Sequence, residues 1–535
     1  MQKAVPAPDR RRLLQLAAAS ATTLWLPRSA WSQPRLLGNP FTLGVASGSP
    51  THEGVVLWTR LALATLFGSV LGNEPITVRW ELAHDEGFQR IVQRGQAQAV
   101  VELAHTVHVE VLGLEPDRWY HYRFMVGGAG NDWVSPVGRT RTFPAPGAHA
   151  ARLRLGYASC QRWEHGYFSA HRHLAQEQLD AVMFLGDYIY EYPKADNAVR
   201  LPSGGWVLTL DDYRQRYALH KGEADLQAAH AACPWLVTWD DHEVQNDYAG
   251  LQEGGNVPAV AKFAARRAAA YQAFYEHMPL RASVLTRALG GLATGAEMRI
   301  YGRVPFGKLA TLYLLDDRQY RDPQVCTPGG KAGSGTLNPD TCSAWKDPAR
   351  TLLGAAQEQW LDAALGQARS AGAGWNVIGQ QSIVGRRDFL PGPAVSLWND
   401  GWDGYEAARG RLVASLQKHQ PANPVLLGGD VHENWVGHVK ADYADPASAA
   451  VGVEFCGTSI SARSGGGART AERLAENPHF VFADAERRGY GVVEITPKAL
   501  TTTLRVVDDV TRKDARIETL ARFSVSAGRS VVERA

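Results

Sequence analysis

Between residues 36 and 146, apolar and polar residues alternate in short runs. This is the period-two signature of strands with one buried face. Val55-Val56-Leu57-Trp58-Thr59 and the stretches 76–81, 105–111 and 119–125 carry it. Gly72-Asn73-Glu74-Pro75, residues 113–117 and Gly127-Gly128 separate the runs with residues that favour turns. Short strands at this spacing predict a β-sandwich over 36–146, with Pro144-Ala145-Pro146-Gly147 as a linker.

Beyond residue 150 the pattern changes. Nearly continuous apolar runs at Leu153–Ala158, Ala181–Leu185, 235–239, 309–315, 375–378 and 425–427 read as strands buried on both faces. Helical periodicity separates them, over 165–178, 213–230, 262–277 and 357–369. Strands alternating with helices predict a layered α/β region over 150–535. Two late strands, 491–496 and 501–507, are expected to complete a second sheet. The glycine-rich stretches 329–335 and 465–467 read as loops; neither has the pattern of a phosphate-cradling P-loop.

The chain has 535 residues, too many for one ordinary domain. Hydrophobic residues are 45% and charged residues 21%, which excludes disorder for the bulk of the chain. The formal net charge of +2 gives no nucleic-acid-binding signature. No apolar run is long enough for a transmembrane helix. The first residues differ from the rest: Arg10-Arg11-Arg12-Leu13-Leu14, an alanine-rich apolar segment, then small residues with a cut site after Ser32. This resembles a twin-arginine signal peptide over 1–32. It implies the twin-arginine export machinery as a partner and a periplasmic or secreted mature protein. Of the five cysteines, Cys326 and Cys342 flank a Gly/Pro/Ser-rich loop, where a disulfide is expected if the protein is exported. Cys233 and Cys456 read as small buried hydrophobes.

Four of the buried strands end in residues able to bind metal. The ends read Ser159-Cys160, Gly186-Asp187 with Tyr190 and Glu191, Asp240-Asp241-His242-Glu243, and Gly429-Asp430-Val431-His432. Sites in layered α/β folds form outside the carboxyl ends of the strands. Each end alone reads as a turn or a structural residue; together they predict one metal site. Asp187 has two oxygens and can bridge two ions. Thiolate from Cys160, phenolate from Tyr190 and a carboxylate favour a trivalent transition metal, most simply Fe3+. Asp241, Asn246 and Asp430 offer hard oxygen donors suited to Ca2+. The amides of Gln380-Gln381, after the 375–378 strand, favour a calcium-containing site in the same way. Lys194 and Arg318 are candidate phosphate anchors, with a salt bridge as the competing reading of both.

The blocks resemble those of the calcineurin-like metallophosphoesterases, with Ser159-Cys160, Asp241 and Asp430 departing from the usual pattern. These departures, with residues 39–48, Leu315–Arg321, Gly379-Gln380-Gln381 and Trp402-Asp403-Gly404-Tyr405, resemble the alkaline phosphatase D family over essentially the mature chain. The 112–124 segment resembles an immunoglobulin- or fibronectin-like fold. The resemblance implies such a β-sandwich followed by a four-layer α/β-β/α metallophosphatase core. It also implies an exported phosphoesterase that hydrolyses phosphate mono- and/or diesters through a metal-activated water or hydroxide. Carried onto this chain, it puts Cys160, Asp187, Tyr190 and His432 near iron and Asp187, Asp241 and Asp430 near calcium. His242 would contact the phosphate or protonate the leaving group, with a supporting partner of Asp241 as the alternative. A phospholipase D-like phosphodiesterase acting on lipid or cell-envelope polymer uses the same ligands. A non-catalytic envelope-binding protein with structural metals is the remaining alternative.

Overall fold

Alternation within the buried strands decides how the layers stack. In strand Ala181–Leu185, Ala181, Met183 and Leu185 face one core while Val182 and Phe184 face another. The computed structural model describes residues 36–535 apart from 37, 64–70, 128–131, 203, 256–257, 259, 261 and 288–297. The signal-peptide expectation for 1–32 lies outside the described residues.

Two sheets face each other. The first has ten strands, with Leu153–Ala158, Ala181–Leu185 and Trp235–Thr238 parallel at its centre. The second has seven, with Ala310–Leu314, Trp375–Gly379, Pro424–Gly428 and Ala450–Cys456 parallel. Leu155, Met183 and Leu185 of the first meet Leu312, Val377 and Leu427 of the second in one buried cluster. On the outer face of the first sheet, helices Ser169–Gln176, Leu210–Lys221, Ala224–Ala232 and Phe263–His277 cover Val182, Phe184 and Val237. On the outer face of the second, Ala355–Ser370 and Glu406–His419 cover Tyr313, Ile378 and Leu426. This is the expected α/β-β/α stack.

Strands Val45–Gly48, Val55–Arg60 and Thr106–Val111 extend the ten-stranded sheet, joined to it at Gly48 beside Trp235. A Cβ on Gly48 would lie 2.7 Å from the Trp235 carbonyl oxygen, so the join needs a glycine. A separate five-stranded sheet built on Ile76–Ala83, Ile91–Ala99 and Trp119–Val126 packs against them. Val55, Leu57 and Val109 interdigitate with Val78, Tyr122 and Phe124 to form the sandwich core.

Two expectations differ from the structure. The late strands Gly489–Ile495 and Ala499–Val507 join the first sheet, not the second: Gly489–Ile495 pairs antiparallel with Leu153–Ala158. The expected helix over 213–230 is two helices, broken at Gly222-Glu223. The first is fixed at its start by a capping box, in which Thr209 accepts from the Asp212 N–H and Asp212 from the Thr209 N–H.

Candidate metal centre

The strand ends meet where the parallel ladders run out. The Cys160 N–H donates to the Gly186 carbonyl at 3.0 Å, and the Gln161 N–H to the Asp187 carbonyl at 2.9 Å, so the first two loops are clamped together. Glu243 ties in the third: its carboxylate accepts from the N–H groups of Asp187 at 3.1 Å and Asp240 at 2.8 Å. The Gly429 N–H donates to the Gln381 carbonyl at 2.7 Å. Cys160, Asp187, Asp430 and His432 all take positive φ, between 56° and 64°. Left-handed backbone costs a non-glycine residue ~1–2 kcal/mol, and such strain concentrates at functional sites. Gly186, at φ 103°, cannot carry a side chain, because a Cβ there would sit 2.4 Å from the Asp240 Cβ.

Ligand atoms of Cys160, Asp187 and His432 lie within 4.8 Å of one another. Tyr190 joins them: its hydroxyl donates to Asp187 Oδ2 at 2.9 Å and lies 3.1 Å from His432 Nε2. His432 Nδ1 is 2.7 Å from the Arg463 carbonyl, which assigns its proton to Nδ1 and leaves the Nε2 lone pair for a metal. The Arg162 guanidinium lies 4.5 Å from the centroid of the Tyr190 ring and fixes the ring's face.

A hard-oxygen region adjoins this soft one. Asp187, Asp241 and His242 form one close group, Asp240, Asp241 and Asp430 a second, and Asp241, Asp247 and Asp400 a third. His242 Nδ1 donates to Glu191 Oε2 at 2.7 Å, and Glu191 Oε1 accepts from the Asn246 N–H at 2.7 Å. Arg318 is buried among the carboxylates: it pairs with Asp240, lies 2.6 Å from Asp400, and approaches Asp430 at 3.4 Å and Asp241 at 3.6 Å. Asp430 and His432 are half-buried, while Cys160, Asp187, Tyr190 and Asp241 are buried.

The residues fit cations. Asp187 Oδ1 and Asp241 Oδ1 are buried and accept no hydrogen bond. Burial, then neighbouring Asp187, pushes the Cys160 thiol well above its ordinary pKa, and burial with Asp187 and Cys160 does the same to Tyr190. Burial pushes Asp430 up to about 8, against Arg318 and with Asp241 and Asp400. Burial opposes charge on His242, but Asp187, Asp241 and Glu191 overcome it and hold its pKa well above the usual value. Burial lowers His432 to about 4, keeping it neutral as a ligand must be.

The structure thus brings Cys160, Asp187, Tyr190, Asp241, His242, Asp430 and His432 together. Asn246 is engaged there through its backbone N–H. Lys194 is exposed and does not join the group; its N–H donates to Glu164. The Gln380 and Gln381 amides are corrected from the expectation of calcium donors. Gln381 Oε1 accepts from the Asp317 N–H and its Nε2 donates to Thr238 and Trp239, while Gln380 Oε1 accepts from Ser382 and Trp402. Asp247 and Asp400 do not stand out in the sequence, and Glu191 does so only as part of the second strand end, with no role attached. Cys326 and Cys342 are disulfide-bonded as expected, with Cα atoms 5.9 Å apart, and Cys233 and Cys456 are buried and free.

Family comparisons agree with this architecture. Residues 155–504 match the PhoD-like phosphatase model, and residues 28–144 match the model of the PhoD-like phosphatase N-terminal domain. Alkaline phosphatase D of Bacillus subtilis (strain 168) is 43% identical over 533 residues, covering 96% of this chain and 87% of that protein. A solved structure described as PhoD superposes with a TM-score of 0.86 at 43% identity, over 94% of this chain and 93% of that one. The chain belongs to the PhoD-like phosphatase family.

Proposed function

We propose that this phosphoesterase is exported and hydrolyses phosphate mono- and/or diesters with iron and calcium at the strand-end cluster. The carrying observation is the convergence of a thiol, a phenol, a carboxylate and an imidazole beside a contiguous group of carboxylates. Cys160, Asp187, Tyr190 and His432 would hold Fe3+, the ion acidic enough to deprotonate a buried phenol and thiol. Asp187, Asp241 and Asp430, with Asn246, would hold Ca2+. When bound, the metals neutralise charge on the phosphate oxygens and lower the pKa of an attacking water.

The chain's own groups orient and move protons. Asp187 faces both regions with separate oxygens, Oδ2 toward Tyr190 and Oδ1 unpartnered. His242 is held by Glu191 through Nδ1, so Nε2 remains to give a proton to the leaving oxygen or to hold the phosphate. Arg318 acts as counter-charge to the carboxylates, and Lys194 remains a candidate anchor for the phosphate from its exposed loop. Residues 36–146 form the sandwich domain of this enzyme and 150–535 its catalytic domain. The 1–32 segment directs the chain through the twin-arginine machinery to the periplasm or beyond. The Cys326–Cys342 disulfide supports an oxidising destination, and no helix among the described residues is long and apolar enough to cross a membrane.

The test is metal analysis of the native protein together with turnover on a phosphate monoester, a diester and a phospholipid, repeated on Asp187→Asn. Iron and calcium in the native protein, and loss of turnover with loss of metal in the variant, are expected. Zinc in place of iron, or full turnover by Asp187→Asn, overturns the metal assignment.

A further inference from the structure

The loop closed by Cys326–Cys342 reaches the acidic region at several points. Asp247 Oδ2 accepts from both the Ser334 N–H, at 3.1 Å, and the Ser334 hydroxyl, at 2.7 Å. The next residue, Gly335, exchanges hydrogen bonds with Asn399: its N–H donates to Asn399 Oδ1 at 2.7 Å, and its carbonyl accepts from the Asn399 N–H at 3.0 Å. Asn399 immediately precedes Asp400. Thr336–Leu337 then pairs with Leu397–Trp398. Gln324, just before the disulfide, donates to Asp400 Oδ1 at 2.5 Å and to the Asp247 carbonyl at 2.8 Å. The loop therefore holds Asp247 directly and Asp400 only through its neighbour Asn399; the third member of their group, Asp241, has a buried Oδ1 that accepts no hydrogen bond and lies 3.6 Å from Arg318.

Besides these polar contacts, the loop has little apolar support. Its own core is a small satellite of Leu337, Cys342, Trp345 and Leu397, separate from the inter-sheet core. The approach to Asp247 is close: Gly333 has φ 98°, and a Cβ there would lie 2.5 Å from the Gly255 nitrogen. With so small a core, the loop depends for its register on these hydrogen bonds, on its pairing with Leu397–Trp398 and on its closure by the disulfide.

We infer that Ser334 is a positioning residue for Asp247, and that the Cys326–Cys342 disulfide sets the calcium affinity of the centre by holding Ser334 in place. The inference rests on the calcium reading above. Asp247 acts through a ligand: its N–H donates to Oδ2 of Asp241 at 2.7 Å, and outer partners that orient a ligating carboxylate are worth roughly 10–100-fold in metal affinity. The linkage makes the site redox-sensitive. A dithiol reduces the bond by delivering two electrons and two protons to the two sulfurs while closing its own cyclic disulfide. The freed loop then releases Asp247.

The experiment is calorimetric titration of calcium into the iron-loaded, calcium-stripped full-length mature protein. Four forms are compared: wild type, Ser334→Ala, Ser334→Thr and the Cys326→Ser/Cys342→Ser double variant, each before and after dithiothreitol. Expected are a roughly 10-fold or greater loss of calcium affinity in Ser334→Ala and retention in Ser334→Thr. The reduced wild type should match the double variant, which should not respond to dithiothreitol. Iron content should be the same throughout, and the lost turnover of Ser334→Ala should return at high calcium. Wild-type affinity in Ser334→Ala, or in the reduced protein, overturns the inference and leaves the calcium reading intact. A wild type that binds no calcium overturns that reading and this inference together. Should the double variant not fold, Ser334→Ala and the reduced wild type still decide.

Discussion

His242 and Glu191 are joined by a buried hydrogen bond of 2.7 Å from Nδ1 to Oε2. Glu191 is fully buried, and its other oxygen accepts from the Asn246 backbone, so the imidazole is fixed in tautomer and direction. A histidine held this way, beside Asp187 and Asp241, is built to carry a proton rather than to fill space. If His242 protonates the leaving oxygen, His242→Ala lowers kcat by roughly 10²–10⁴ on alkyl esters, whose alkoxides leave poorly. It lowers kcat far less on aryl esters, whose phenolates leave unaided. Equal loss on both would assign His242 to holding the phosphate.

Glu191→Gln tests the same bond from the other side. The glutamine keeps one acceptor but sets an NH2 against either the Asn246 N–H or the imidazole N–H. A buried mismatched donor costs ~1–3 kcal/mol. Lowered thermal stability is expected together with a smaller kcat loss than in His242→Ala and an unchanged metal content. A metal-depleted variant would show that Glu191 supports the ligands rather than His242.

Tyr190 reports on the transition metal directly. A phenolate on Fe3+ gives a broad visible charge-transfer band, and Tyr190→Phe should abolish it while Cys160, Asp187 and His432 remain. Iron content is expected to fall only partly. The spectrum of the native protein and the variant, with elemental analysis of each, checks this. A colourless native protein removes the phenolate assignment.

Asp430 makes calcium binding depend on pH. Its pKa of about 8 lies above the ordinary carboxylate value, so the metal-free folded protein binds a proton there that the unfolded chain releases near pH 4. This contribution to stability is complete below about pH 4. It is lost as pH rises through about 8, by up to ~1.4 kcal/mol per pH unit. Calcium must displace the same proton. Its affinity should therefore rise by up to roughly tenfold per pH unit until about pH 8 and level off above. Thermal melts of the metal-free protein and calcium titrations between pH 5 and 9 check both signs.

The site was legible where chemistry coincides with a strand end. Cys160, Asp187, Asp241 and Asp430 each follow a buried apolar run, and in a parallel sheet such ends must cluster. Asp247 and Asp400 were not legible, because their partners come from other loops. Asp400 lies in Trp398-Asn399-Asp400-Gly401, which reads as a turn, and contacts distant in sequence, from Arg318, Arg321 and Gln324 and through the pairing of Leu397–Trp398 with Thr336–Leu337, place it beside Asp247. The Gln380-Gln381 amides misled for a related reason. Amides at a strand end can serve a metal or neighbouring backbone, and composition does not say which backbone groups stand unpaired. The Gly489–Ile495 strand was recognised but given to the wrong sheet, since both sheets have buried faces that accept the same apolar pattern.

Arg318 separates a structural charge from a substrate anchor. Its guanidinium is 2% exposed and meets Asp240, Asp400, Asp430 and, more distantly, Asp241. Burial opposes its charge, yet these carboxylates hold its pKa well above even the usual arginine value. Removing one partner of a buried ion pair costs ~3–5 kcal/mol, because the remaining charge is left uncompensated. Arg318→Met should therefore lower the melting temperature sharply in the metal-free protein. Added calcium should recover part of the loss, since it neutralises Asp241 and Asp430 but leaves Asp240 without its partner. Arg318→Lys keeps the charge but not the fork that reaches several carboxylates, and should fall between. A phosphate anchor behaves otherwise: its removal raises KM and leaves the metal-free melting temperature where it was. Paired melting curves and KM values for the two variants distinguish these outcomes, and the carboxylate contacts favour the first.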